Sequence, residues 1–175
     1  GIVCDGQVIP GTDWVQRDPA AWWSWDEPLD RPDLRTRHGK PATLFVAHWT
    51  AGGCRMGPDA ARRVVSAMRG RKRDDGTFMD VSIHFVASWD GIITQTCDLA
   101  VATVHVGRQI NERSIGIEMC WPGTWENAIR LDMDARSRKE TRTVRGHRVD
   151  CMAPSAEMLA AVVRLARTLA PASAP

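Results

Sequence analysis

Chemistry in this 175-residue chain has few places to reside, and two of them are His48 and Glu118. His48 closes the apolar run Leu44-Phe45-Val46-Ala47 and is followed by Trp49-Thr50-Ala51-Gly52-Gly53. The run is short enough for a buried central strand, and the glycine pair must turn. The imidazole therefore stands where a rigid element opens into a loop, a position suited to a base or a ligand. In that context alone, a satisfied core histidine fits equally well. Glu118 lies in Ser114-Ile115-Gly116-Ile117-Glu118, and a carboxylate inside an apolar strand is costly unless paired or functional. A solvent-facing edge position is the bland alternative.

The elements that must position these groups are legible in outline. Residues 1–40 carry Trp14, Trp22, Trp23 and Trp25 among Pro10, Pro19, Pro28 and Pro32, with neither period sustained. They read as an irregular arm wrapped on the domain, its tryptophans sealing a sheet edge; stacking on sugar rings is the sharper alternative. Pro58-Asp59 starts a helix whose stripe is Ala60, Ala61, Val64, Val65 and Met68, ended by Gly70. The basic run from Arg71 to Arg73 reads as a solvated loop. Phe78 to Trp89 reads as a strand, turned by Asp90-Gly91 into Ile92–Thr96. Ser114 to Cys120 is a further strand.

Residues 124–152 are charged and irregular, with Thr141 to Val149 a candidate edge hairpin. Ser155 caps a last helix with Leu159, Val162, Val163, Ala166 and Leu169 on its buried face. Strands alternating with helices predict an α/β fold, a central mixed β-sheet flanked by helices.

Composition bounds the rest. The length fits one domain with a core of its own. A net charge of +2 with scattered arginines does not point to nucleic acid. No apolar run reaches the length of a membrane span, and the chain shows no signal-peptide pattern. Cys4, Cys54, Cys97, Cys120 and Cys151 form no CxxC pair, so no zinc knuckle is written here. Cys97 and Cys120 read as buried thiols in core strands, with one disulfide left open. Residues 171–175 read as a linker-like tail. His38, in a charged run, reads as surface.

Four pieces in order carry a resemblance: His48-Trp49-Thr50-Ala51-Gly52; His84-Phe85 with Asp90-Gly91 and Gln95; His105-Val106-Gly107; and Ser114-Ile115-Gly116-Ile117-Glu118. Together they resemble the zinc-dependent N-acetylmuramoyl-L-alanine amidases, a superfamily that includes phage-lysozyme-type amidases and peptidoglycan-recognition proteins. The resemblance covers about residues 41–120, with a weaker echo in 154–170, and makes residues 41–170 an amidase-like domain with an insertion at 124–152. It implies hydrolysis of the amide joining N-acetylmuramic acid to L-alanine. His48 would be a zinc ligand and Glu118 the general base. His105 and Thr50 would face the substrate, with His84 beside the same hairpin on the substrate side or buttressing it. Some relatives place a catalytic tyrosine before that histidine; here Ile83 stands there.

The chain departs from the pattern at the other ligands. The family draws them from a "Gly-His … Asp/Cys" loop after the last helix, whereas Gly146-His147-Arg148-Val149-Asp150-Cys151 precedes it. Either His147 with Cys151 (or Asp150) completes the zinc from a displaced loop, or 124–152 is an insertion and the ligand loop belongs beyond Pro175. The second ordering is favoured because strand and helix otherwise keep the family order. The resemblance further implies peptidoglycan as partner, a monomer, and action at the cell wall in the manner of an endolysin. A peptidoglycan-binding module with an incomplete metal site is the rival, and a hydrolase of another amide on the same fold is a third option.

Overall fold

The computed structural model describes residues 1–22, 41–52, 56–72, 74–76, 81–132, 138–144 and 146–170. Within residues 1–22 the chain is more regular than the irregular arm expected there. Strands β1 (Val3–Cys4) and β2 (Gln7–Val8) form a small antiparallel hairpin, and β3 (Gln16–Arg17) joins the main sheet. Two-residue strands carry no readable period, which is why the sequence shows only an arm. Trp14 does pack on the core, and the Arg164 guanidinium lies 4.1 Å from its ring centre. Trp23 and Trp25 lie outside the described residues.

Strand β4 (Leu44–Trp49) precedes helix α1 (Asp59–Arg69), which starts after Pro58 and ends at Gly70 as expected. Strands β5 (Phe85–Ala87) and β6 (Ile93–Gln95) form the hairpin around Asp90-Gly91. Gly91 adopts a positive φ of 83°, and a Cβ there would come within 2.8 Å of the Glu157 carbonyl oxygen. The short helix α2 (Arg108–Asn111) leads into β7 (Ser114–Met119). Of the strand expected over Phe78 to Trp89, the described residues 81–89 form Phe85–Ala87, and residues 78–80 lie outside the described set.

The five-stranded sheet runs β3-β6-β5-β7-β4 and is mixed: β5 and β6 are antiparallel, the other pairings parallel. β4 is therefore an edge strand, paired only with β7 among the described residues, and not the buried centre its apolar run suggested. An apolar run reports hydrophobicity, not how many neighbours a strand has. β7 holds the inner position instead, and five of its six residues are buried.

One sheet face carries the larger core: Phe85, Ala87, Ile93, Ile115 and Ile117 pack with Met158, Val162 and Leu165. Burying a side chain of this size stabilises by about 1.5–3 kcal/mol. The last three residues belong to α4 (Ala156–Leu169), capped by the Ser155 hydroxyl, which accepts from the Met158 N–H. Leu159 and Val163 point outward, contrary to expectation. α4 is apolar on several sides, so two stripes at helical spacing were available and tertiary packing chose the other.

α1 covers the opposite face with Ala60, Ala61, Val64 and Val65 against Ile83, Val86 and Cys120. Beyond β7 come α3 (Trp125–Arg130), strands β8 (Lys139–Val144) and β9 (His147–Met152), which form a separate antiparallel hairpin. That hairpin confirms the candidate hairpin in 124–152; α3 was not foreseen. Cys4, Cys97, Cys120 and Cys151 are all free thiols. Among the described residues no helix is long and apolar enough to cross a membrane.

Candidate functional site

The site is set by strand register. β4 and β7 run parallel with Leu44 opposite Ser114, Val46 opposite Gly116 and His48 opposite Glu118. Side chains of paired residues project from the same sheet face, so His48 and Glu118 stand side by side on the face that α1 covers. Val86 of β5 flanks Glu118 on its other side.

A histidine cluster fills this face. His48 Nε2 lies 3.0 Å from His105 Nδ1, and His105 Nε2 lies 3.0 Å from the Ser114 hydroxyl. The two rings meet edge-on, 5.2 Å apart. Gly116 makes room: a Cβ there would be 2.8 Å from the His105 ring and 2.5 Å from Ile83 Cδ1. The His105 loop is fixed from behind by Asn111, whose side-chain carbonyl accepts from the N–H groups of His105, Val106 and Gly107 at 3.0–3.2 Å. Sequence reading missed both Asn111 and Gly116, since their roles exist only once α2 folds back and β7 is placed.

His84 is fully buried, so it does not face a ligand. Its Nδ1 accepts from the Gly116 N–H at 3.1 Å and lies 2.9 Å from the Thr103 hydroxyl, while Nε2 donates to the Val101 carbonyl at 2.8 Å. An acceptor at Nδ1 and a donor at Nε2 make it a neutral ring. It supports β7 from within the core, the buttressing position of the two that the resemblance allows.

Electrostatics sort the two principal groups. Burial lowers the His48 pKa from its ordinary value, which favours the uncharged imidazole. Glu118 is only 9% exposed, and that burial pushes its carboxyl up to about 7, against the opposing pull of the Arg71 guanidinium. A carboxyl poised near neutral pH suits proton transfer. Glu118 lines a cleft of about 260 Å³ together with Thr50, Gly52, Arg63, Val64, Ala67, Met68 and Arg71. Thr50, one of these lining residues, donates its N–H to the Met119 carbonyl.

His147 and Cys151 sit elsewhere. His147 is exposed at the start of β9, opposite Val144. Cys151 is buried opposite Glu140, bridges to Thr124, and its thiol contacts the Val149 carbonyl at 3.8 Å. They do not gather with His48: among the described residues no three His, Cys, Asp or Glu side chains form a group able to hold a metal. The described donors therefore fit a zinc ion only in part. His48, an imidazole at a strand mouth, has the right chemistry for one ligand, whereas a catalytic zinc usually takes three.

Comparison with known proteins places the chain. The profile described as N-acetylmuramoyl-L-alanine amidase matches residues 38–173. No curated protein sequence matches. The solved structure of PGRP-Hd from Alvinella pompejana is similar at 17% identity and a TM-score of 0.51, covering 88% of this chain and 76% of that one. A complex of the amidase AmiD from E. coli with anhydro-N-acetylmuramic acid-L-Ala-D-gamma-Glu-L-Lys aligns at 15% identity and a TM-score of 0.45. It covers 73% of this chain, which spans 42% of the length of that one. The shared fold is the mixed central sheet with flanking helices.

Proposed function

Because the chain belongs to the N-acetylmuramoyl-L-alanine amidase family, we propose that it hydrolyses the amide between N-acetylmuramic acid and the L-alanine of the stem peptide in bacterial cell walls. The observation that carries this reading is the pairing of His48 with Glu118 in register on one face, beside an open cleft.

Glu118 is the general base. Its burial keeps proton affinity close to neutral, so it takes a proton from the attacking water and returns it to the departing amine. His105, anchored by Ser114 and Asn111, orients the His48 imidazole through the 3.0 Å contact between their ring nitrogens. Thr50 orients the substrate at the rim. His48 would supply one ligand to a zinc ion, which would lower the pKa of a bound water to about 7 and polarise the carbonyl.

A second reading keeps the fold and the substrate but not the reaction: a peptidoglycan-binding module. It is favoured by the partial donor set around His48 among the described residues. Metal analysis of the purified chain separates the two. One zinc per chain, lost in His48→Ala, supports the enzyme; muropeptide binding without zinc supports the module.

A further inference from the structure

Four arginines on or just after α1 divide into two kinds. Arg62 is committed to Asp18 at 3.1 Å and to Asp59 at 3.6 Å, and Arg69 donates to the Trp22 carbonyl at 2.8 Å. Arg63 and Arg71 line the cleft beside Glu118, and among the described residues neither guanidinium has an ion pair or hydrogen bond. Proximity to the C-terminal end of α1 gives Arg71 a structural rationale through the helix dipole. Arg63, in the middle of the helix, has none. Between them, Val64, Ala67 and Met68 form an apolar floor.

We propose that Arg63 and Arg71 form an anion subsite for the free α-carboxylate of the γ-linked D-glutamate in the stem peptide. This rests on the amidase reading above and names what the cleft selects. The γ-linkage leaves that carboxylate unblocked on the residue after L-alanine. In an extended chain it lies roughly 7 Å from the scissile amide, within reach of a cleft that begins at Glu118. The apolar floor suits the alanine methyl and the glutamyl methylenes, and paired guanidiniums suit a carboxylate. The same pair disfavours stem peptides whose D-glutamate is amidated, since a carboxamide brings no charge and sets an N–H₂ donor against donor groups. On this proposal Arg71, the first residue of the basic run after α1, serves the cleft.

The test uses two synthetic muropeptides identical except for a carboxylate or a carboxamide at D-glutamate, titrated into the intact chain by calorimetry. The acid form is expected to bind about fivefold to tenfold tighter, the scale of a partly exposed charge-assisted contact. That ratio falls toward one in Arg63→Gln, is partly kept in Arg63→Lys, and shrinks as salt is raised. Circular dichroism checks that each variant is folded. Equal wild-type affinity for the two ligands, or a ratio unchanged in the Arg63→Gln, Arg71→Gln double variant, overturns the subsite alone. Binding of neither ligand overturns the peptidoglycan reading on which it stands.

Discussion

His48 and Glu118 are direct register partners on adjacent parallel strands, seventy residues apart in sequence and side by side on one sheet face. Parallel pairing fixes this juxtaposition: a slip of one residue would turn one of the two side chains to the opposite face. On the proposed mechanism, Glu118→Gln keeps the shape and hydrogen-bonding reach of the side chain but removes the base. Turnover should fall by at least ~100-fold while zinc content and fold are unchanged. Steady-state kinetics beside metal analysis check this, and unaltered turnover removes Glu118 from the chemistry.

The raised carboxyl of Glu118 also has a consequence for stability. Its folded pKa of about 7 lies above the ordinary value of 4.5, so between those pH values the folded state binds more protons than the unfolded one. Stability contributed by protonated Glu118 is present at and below pH 4.5 and is lost as pH rises through 7. The effect is at most about 3 kcal/mol. Thermal melts of chelator-treated protein should show Glu118→Gln gaining on wild type as the pH rises from about 5 to about 8, the window that the raised carboxyl spans. A difference that stays flat with pH contradicts the burial argument.

The hairpin of β8 and β9 lies outside the proposed chemistry. His147→Ala removes an exposed side chain, so zinc affinity and turnover should hold within about twofold, the scale of neutral surface changes. Cys151→Ser should lower the melting temperature slightly, because the thiol is buried, without loss of metal. Competition with a chelator reads both. Weakened zinc binding in His147→Ala would restore the displaced-loop arrangement.

Gly116 is where backbone and imidazole come closest. A methyl group in Gly116→Ala meets the His105 ring and Ile83, so His105 must swing away from His48. Overpacking of this kind costs about 1–3 kcal/mol. Turnover should drop further than that loss of stability explains, with the His48–His105 contact broken in the histidine ring signals by nuclear magnetic resonance. A variant that melts earlier yet keeps full turnover would make His105 a bystander.

How much of this was legible in the chain differs by level. The motif residues His48, His105 and Glu118 converge, because short motifs at strand ends carry their own local geometry. α1, the Asp90-Gly91 turn and the Ser155 cap also follow from local signals. The edge position of β4, the outward turn of Leu159 and Val163, and the pairing of β3 depend on which surfaces meet, which no single segment states. Asn111 illustrates the same limit: an asparagine at the end of a four-residue helix becomes a clamp only because the chain folds back over it.

Incubating zinc-loaded wild type with purified peptidoglycan, and reading the soluble products by mass spectrometry, tests whether this cleft breaks the lactyl amide. Free stem peptides beginning at L-alanine should accumulate with wild type and be absent with Glu118→Gln. Muropeptides that are bound yet stay intact, or fragments cut within the peptide or the glycan instead, would contradict the amidase assignment.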